Sequence, residues 1–315
     1  MKDILSQDLS KYKVLVVGDS ILDKYYYGEV NRISPEAPVP INHIIEIKNK
    51  LGGAANVANA LSTLGLNTSL ITHIGNDANG NVLLSLFKNI NIFPIRTEQI
   101  TTTKIRILSN NQQMMRLDFE DQLVDLYNLN LINILSREII NNNIIIISDY
   151  GKGFCSESIC QHIIKQCNQL NKIVIIDPKR NNWNKYKNAT YITPNLKELS
   201  DIMGHKVLNT DSNIRLKALT LIERFNLTGL LVTRSEKGLS FISNEYIVHK
   251  LTQAKEVIDV CGAGDTVVAI FALGLLLKLN FDQILQLANL AASITVSKSG
   301  VYNPTINELI LNLVN

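Results

Sequence analysis

Residues Asp259-Val260-Cys261-Gly262-Ala263-Gly264-Asp265-Thr266 carry the densest chemical signal in the chain. The glycines let the backbone turn tightly and bring N–H groups close to a ligand. A long apolar run follows, residues 266–279, and reads as a helix. The first turn of a helix leaves N–H groups unpaired at the positive end of its dipole. Together these features make an anion hole. Asp265 stands at its mouth, where a carboxylate would ordinarily compete with a bound anion. Its presence makes chemical sense if it takes a proton from a hydroxyl while the hole steadies charge on a transferring phosphoryl group. The alternative is that Asp265 simply caps the helix, and the local pattern leaves both readings open.

Such a hole needs a scaffold that presents it. Apolar runs of strand length alternate with helix-length segments, which predicts an α/β fold with a mainly parallel central sheet flanked by helices. Residues 13–17, 69–74, 143–148, 172–176 and 230–233 read as strands. The almost pure isoleucine of 143–148 implies a central strand covered on both faces. Residues 56–64, 80–89, 157–170, 266–279 and 281–297 read as helices. Residues 39–47 and 101–117 show partial apolar–polar alternation instead, as in Lys104-Ile105-Arg106-Ile107. Alternation predicts strands with one wet face, and these form a small sheet outside the main one. No repeat or Pro/Gly-rich linker divides the chain, so residues 1–315 are expected to form one domain with that sheet inserted.

Four segments occur in a telling order: Val16-Val17-Gly18-Asp19-Ser20-Ile21-Leu22-Asp23, Leu51-Gly52-Gly53-Ala54-Ala55-Asn56, Pro194-Asn195-Leu196-Lys197-Glu198 and Gly262-Ala263-Gly264-Asp265. The set resembles the ribokinase-like, or PfkB, sugar kinases and spreads over most of the chain. Arg32-Ile33-Ser34-Pro35-Glu36-Ala37-Pro38, Gln113-Met114-Met115-Arg116-Leu117-Asp118, Ser148-Asp149-Tyr150-Gly151-Lys152-Gly153 and Asp177-Pro178-Lys179 resemble the D-glycero-β-D-manno-heptose 7-phosphate kinases in particular. The resemblance implies a ribokinase-like fold whose small β-sheet is a lid over the sugar and a homodimer contact. It implies ATP-dependent phosphorylation of O1 of the heptose 7-phosphate, on the route to the lipopolysaccharide core.

The resemblance also distributes roles. Asp265 is the base, and Gly262, Ala263 and Gly264 offer backbone N–H groups to the γ-phosphate. Losing one such donor typically costs about 3–4 kcal/mol of barrier. Asn195 and Glu198 help hold the ATP phosphates with Mg²⁺, Glu198 acting through a metal-bound water. Mg²⁺ keeps several waters and needs only one or two carboxylates. Glu198 is equally explained as an acid in a helix's first turn. Ser235 and Gly238 stand on the adenine–ribose side, although a hairpin turn accounts for Glu236-Lys237-Gly238 as well. Asn289 and Ser293 line the adenine pocket or merely pack between helices. Asp19 and Asp23 meet sugar hydroxyls at a strand end, Gly52 and Gly53 let the backbone approach the sugar or only turn it into a helix, and Asn56 binds a hydroxyl. Lys152 and Lys179, at neighbouring strand ends where ligands gather, meet the phosphate already on the substrate, with Arg116 and the lid's Arg32. Position 261 is often Thr or Ser in this motif. The helix-end amides predict a lowered thiol pKa for Cys261 and alkylation that ATP blocks, unless the side chain is simply small and buried.

Composition narrows the alternatives. A chain of 315 residues, 46% hydrophobic and 19% charged, is that of a globular protein. A net charge of +3 with scattered basic residues gives no nucleic-acid surface. No Cys-x-x-Cys pair marks a zinc site, no run reaches membrane-spanning length, and no signal peptide is visible. A cytoplasmic protein without membrane insertion is expected. No Gly-x-x-x-x-Gly-Lys-Ser/Thr marks a P-loop, and no Gly-x-Gly-x-x-Gly follows the first strand. The five histidines form no His-x-Gly-His pair, the mark of the nucleotidyltransferase half fused to many heptose kinases. Two rival functions remain: a kinase of the same fold for another sugar or sugar phosphate, and a non-catalytic sugar-phosphate sensor.

Overall fold

A computed structural model describes residues 1–110, 112–121, 125–179, 182–254 and 256–313. Asn111, inside the expected lid segment 101–117, lies outside the described residues. From β1 (Lys13–Gly18) the chain runs straight into two long strands, β2 (Ser20–Ile33) and β3 (Pro40–Gly53). It returns through the helix Ala54–Thr63 to β4 (Asn67–Gly75), the helix Ala78–Leu86 and β5 (Ile90–Thr97). A second excursion makes β6 (Thr103–Ser109) and β7 (Gln112–Phe119). Strands and helices then alternate through β8 (Ile144–Ser148), β9 (Ile173–Asp177), β10 (Tyr191–Ile192) and β11 (Gly229–Thr233). The hairpin β12 (Leu239–Ser243) and β13 (Ile247–Lys250) precedes the helices Ala263–Leu276 and Phe281–Val296.

The large sheet has the order β13-β12-β11-β10-β9-β8-β1-β4-β5 and is parallel except at β12 and β13. Its central strands are buried on both faces, as their sequences require. Val14, Val16, Ile144, Ile146 and Ile175 enter one apolar cluster. Leu15, Val17, Ile145, Ile147, Val174 and Ile176 enter the other. Removing a side chain there, as in Ile146→Ala, costs about 2–5 kcal/mol. The carboxyl ends of β1, β8, β9, β10 and β11 share one edge, and the site is built on the loops that leave it.

The second sheet has the order β3-β2-β6-β7 and stands over that edge. β2 pairs parallel with β6, and the outer pairs are antiparallel. This lid is larger than the alternation at 39–47 and 101–117 indicates, because β3 continues to Gly53 and β2 carries no simple alternation. β2 does not alternate because charged and aromatic side chains fall on both of its faces, Asp23, Tyr25 and Tyr27 on one and Lys24 and Tyr26 on the other. The helices Leu129–Asn141 and Asp211–Phe225 also escape the sequence reading, whereas Leu196–Met203 is the helix in whose first turn Glu198 was weighed. The late helix begins at Ala263, so that Asp265 lies in its first turn. Among the described residues no helix is long and apolar enough to cross a membrane.

Candidate active site

Gly262 adopts φ +80° before the helix Ala263–Leu276, a left-handed conformation that suits glycine. A Cβ there would lie 3.1 Å from Asn56 Nδ2. Among the described residues, the N–H groups of Gly262, Gly264 and Asp265 make no hydrogen bond, whereas that of Ala263 reaches Val260 O at 3.3 Å. The free donors are therefore Gly262, Gly264 and Asp265, not Ala263 as the motif suggests. Asp259 holds the turn: its Oδ1 accepts from Cys261 N at 2.9 Å and its Oδ2 from Gly300 N at 3.0 Å.

Asp265 does not cap its own helix. Its carboxylate crosses to neighbouring elements, accepting from the Tyr150 hydroxyl at 2.6 Å and from Asn56 Nδ2 at 2.5 Å. It is buried, and burial raises its pKa to about 6 against the lowering effect of those two donors. A carboxylate poised near neutrality at the mouth of an anion hole suits a general base. Asn303 donates in turn to Asn56 Oδ1 at 3.0 Å and fixes the amide that touches Asp265.

The side that the motifs assign to a sugar is built from the start of the small sheet. Gly53 adopts φ +60°, and a Cβ on Gly52 would fall 2.2 Å from Asp23 Oδ2. Here the Gly-Gly pair is needed for close approach as well as for the turn. Asp23 pairs with Arg106 at 2.5 Å, and that guanidinium lies 5.1 Å from the Tyr25 ring centre. Asp19 is committed elsewhere. Its carboxylate accepts from the backbone of Tyr150 at 2.9 Å, Lys152 at 3.1 Å and Phe154 at 3.0 Å. It holds the loop after β8 instead of facing a sugar hydroxyl; burial and the nearby Asp149 raise its pKa while those three donors oppose the rise.

On the other side of the hole, Asn195 and Glu198 form a reciprocal capping box for the helix Leu196–Met203, at 2.8 and 3.0 Å. The capping reading of Glu198 is realised, yet Glu198 also meets Lys179 Nζ at 3.3 Å. A cavity of about 140 Å³ joins Asp177, Lys179, Asn195, Glu198, Gly264 and Asp265. Burial and the carboxylates of Asp265 and Glu198 push the Asp177 carboxyl well up. Asp177 and Glu198 offer this cavity the hard oxygen donors that a divalent cation prefers; among the described residues they do not converge with a third acid, so such an ion would keep several waters. A second cavity of about 420 Å³ opens on the far side of Gly264, largely apolar, with Ser235, Gly238, Asn289 and Ser293 in its wall. Asn289 donates to the carbonyls of Lys250 at 3.3 Å and Leu251 at 3.1 Å, so its side chain ties down the chain beyond β13. Gly238 turns the β11–β12 hairpin, and its Cβ would meet Lys250 O at 2.1 Å.

The expected phosphate-binding cations are not all gathered. Lys152 and Lys179 both line a cavity of about 680 Å³. Lys152 pairs with Glu120, while Lys179 leans toward Glu198 and lies 5.8 Å from the Tyr150 ring centre. Arg116 is half-exposed on β7 and forks onto Asp118 at 2.8 and 3.0 Å. Arg32 is exposed near the far end of β2, about 30 Å along the strand from Asp23 at ~3.3 Å per residue, so a single chain does not bring it to the site. Cys261 reverses its expectation. Burial and the Asp259 carboxylate push its thiol up to about 11, against the expected effect of the helix-end amides. Tyr150, Asp177, Lys104 and Arg106 were not singled out from the sequence. The first two lie inside quoted motifs, and the lysine–arginine pair gave a strand signal without showing which face it served.

The pfkB family of carbohydrate kinases matches residues 11–308. The bifunctional protein HldE of Actinobacillus succinogenes is 41% identical over 292 residues, 91% of this chain and 60% of that protein. The HldE of Pasteurella multocida is 40% identical over 308 residues, 96% of this chain and 64% of that protein. The chain thus spans about three-fifths of the length of these curated relatives. Phosphofructokinase-2 of Escherichia coli, solved in complex with substrates and products, superposes with a TM-score of 0.78 at 18% identity, covering 96% of this chain and 100% of that one. Ribokinase of Arabidopsis thaliana, complexed with ribose and ATP, gives 0.74 at 19% identity, covering 96% and 99%. The likeness to these two structures is one of fold.

Proposed function

The chain belongs to the pfkB family of carbohydrate kinases, and from that premise we propose that it transfers the γ-phosphoryl group of ATP to O1 of D-glycero-β-D-manno-heptose 7-phosphate. The product is the 1,7-bisphosphate, a precursor of ADP-heptose and the lipopolysaccharide core. The observation that carries the chemistry is the buried Asp265 carboxylate, held between Tyr150 and Asn56 with a pKa raised to about 6. A base with that pKa is mostly ionised at neutral pH and still basic enough to share a hydroxyl proton in the transition state. The choice of heptose phosphate is supported by the subgroup segments around Arg116, Lys152 and Lys179 and by the 41% identity to an HldE protein.

In this reading the sugar lies between the lid and the carboxyl edge of the sheet. Asp23 and the Gly52–Gly53 backbone bind its hydroxyls, and Asn56 orients both the acceptor oxygen and Asp265. Asp265 Oδ takes the O1 proton. The N–H groups of Gly262, Gly264 and Asp265 receive the negative charge of the transferring group. Lys179 neutralises charge on the same side. Asp177 and Glu198 would hold Mg²⁺, Glu198 through water, and the ion would supply charge neutralisation on the ATP phosphates. The apolar cavity beside Gly264 would take the adenine, with Ser235, Gly238, Asn289 and Ser293 around it. Asp19 positions the loop that carries Tyr150 and Lys152.

We read residues 1–315 as one kinase domain, because both lid pairs are inserted between consecutive elements of the large sheet. The reaction is assigned to the cytoplasm, where ATP is present. A homodimer through the lid is supported by its chemistry. The face opposite Asp23 and Arg106 exposes Ile47, Met115, Leu117 and Phe119, an apolar surface that a second copy would cover. Sedimentation as a dimer that Leu117→Lys converts to a monomer is expected; a wild-type monomer at micromolar concentration would remove the dimer. The activity is tested by phosphorus NMR of ATP-dependent product formation on the heptose 7-phosphate, fructose 6-phosphate, ribose and adenosine. Turnover of the heptose phosphate alone is expected. Turnover of another member instead would discard the heptose assignment, and binding without turnover would favour a sensor.

A further inference from the structure

We propose that Arg234 is a positioning residue for the nucleotide: its buried guanidinium holds the β11–β12 turn in the shape that walls the adenine cavity, and so sets nucleotide affinity from behind that wall. This rests on the reading that places the adenine beside Gly264 and adds a residue which that reading did not contain.

The turn has a backbone that does not keep its shape unaided. Ser235–Lys237 is one short 3-10 turn, with Ser235 at φ +51° and Gly238 at φ +77°. Glycine enters the left-handed region freely, whereas a serine there is strained. A residue held in such a conformation persists where its surroundings over-determine it. Ser235, Glu236 and Gly238 line the cavity of about 420 Å³ together with Thr233 at the end of β11, and Ala292 of the helix Phe281–Val296 lines it too. The shape of the turn is therefore the shape of one side of the cavity.

Arg234 supplies the constraint. Its N–H donates to Gly238 O at 2.8 Å and its carbonyl accepts from Lys237 N at 3.1 Å, so its backbone closes the turn. Its side chain is 2% exposed and lies outside the cavity lining. Nε donates to Asn209 Oδ1 at 2.9 Å, and Nη1 donates to Asp211 Oδ1 at 2.6 Å and to Ser240 Oγ at 2.9 Å. These partners stand on separate pieces of the fold: the loop before the helix Asp211–Phe225, the first residue of that helix, and β12. Asn209 grips the turn in return. Its Nδ2 donates to Arg234 O at 3.1 Å and Glu236 Oε1 at 3.4 Å, and its own carbonyl accepts from Lys237 Nζ at 2.7 Å.

A buried ion pair is a poor source of stability, because an apolar side chain of similar volume often serves as well or better. What the arginine adds is a planar fork whose donors fix several elements at once. That geometry converges on a turn whose strained serine faces the cavity. A wall already in shape binds its ligand without first having to be ordered.

The test is calorimetry of Mg·ADP and, separately, of the heptose 7-phosphate, with thermal melts, on wild type, Arg234→Met, Arg234→Lys and Asn209→Ala. Arg234→Met is expected to raise Kd for ADP about tenfold, as binding must restore one strained residue. Sugar affinity should hold, a separation that a general loss of structure would not give. Arg234→Lys keeps the charge beside Asp211 but not the fork, and should lose nearly as much. Asn209→Ala leaves Arg234 paired with Asp211 and Ser240, and should weaken ADP several-fold; it decides the question if the arginine variants do not fold. Unchanged ADP affinity in the folded variants, or equal losses for ADP and sugar, overturns the proposal. Ala292→Trp, which fills the cavity, tests the underlying reading. ADP binding lost in Ala292→Trp but intact in Arg234→Met overturns the proposal alone. ADP binding intact in Ala292→Trp overturns the adenine placement, and the proposal with it.

Discussion

Tyr150→Phe isolates what tunes the base. Burial pushes the Asp265 carboxyl up to about 6, and two donors oppose that rise, Tyr150 at 2.6 Å and Asn56 at 2.5 Å. A hydrogen bond to a charged group contributes about 1.5–3 kcal/mol. At about 1.4 kcal/mol per pH unit, losing the hydroxyl raises the carboxyl by about one to two units. The ring remains to pack under Lys179. Because the ionised form is the active base, the acid limb of kcat/KM should move from about 6 to between roughly 7 and 8. At pH 7 the ionised fraction falls from about nine-tenths to between about a half and a tenth. Activity should drop by about twofold to tenfold there and recover by roughly pH 9. The Tyr150 hydroxyl is itself held far above its ordinary pKa by burial and the neighbouring acids, so it stays a donor across this range. The assay is the pH profile of kcat/KM for the sugar, wild type against Tyr150→Phe, with ADP release as the signal. An acid limb that stays in place, or a loss equal at every pH, would refute the reasoning.

Three further outcomes follow from the same geometry. Asp265→Asn should stabilise the fold above pH 6: the folded carboxyl titrates near 6 and the ordinary one near 3.8, so wild type loses stability as pH rises between those values, by up to about 3 kcal/mol. Thermal melts should show a gap at pH 8 that closes near pH 4, and a gap independent of pH would contradict the assignment. Gly52→Ala places a Cβ 2.2 Å from Asp23 Oδ2; kcat/KM for the sugar should fall about a hundredfold or more as the buried Asp23–Arg106 pair is forced apart, and calorimetry should show nucleotide binding retained. Loss of both would mean that Gly52 supports the whole edge and not the sugar side. Cys261, with its thiol pushed up to about 11, should react with iodoacetamide at pH 7.5 on the order of a hundredfold more slowly than free cysteine; rapid stoichiometric labelling seen by mass spectrometry would overturn that.

The large sheet was legible because its central strands are buried on both faces, and a run such as Ile144 to Ile147 has no other use. The anion hole was legible because glycine spacing before an apolar helix constrains the backbone directly. What stayed hidden depended on contacts between distant segments. That Asp265 does not cap its own helix was undecidable until Tyr150 and Asn56, from two other elements, were seen to hold it. Asp19 looked like a sugar ligand because a strand-end acid can face a ligand or a loop, and only the fold shows the three N–H groups it serves. The lowered thiol of Cys261 was read from the helix dipole, but burial, with the acid two residues earlier, pushes it the other way, as the buried alternative allowed. The strand β2 was missed because an inward face of Asp23, Tyr25 and Tyr27 and an outward face of Lys24 and Tyr26 do not alternate in polarity.

The central claim is that Asp265 is the base of phosphoryl transfer to a bound sugar phosphate. Single-turnover phosphorylation of the heptose 7-phosphate by Asp265→Asn, alongside calorimetric binding of the same sugar, tests it most directly. The account predicts a rate lower by about 100-fold to 10,000-fold with sugar affinity within a few-fold of wild type. A variant that binds the sugar normally and transfers the phosphoryl group at nearly the wild-type rate would contradict it.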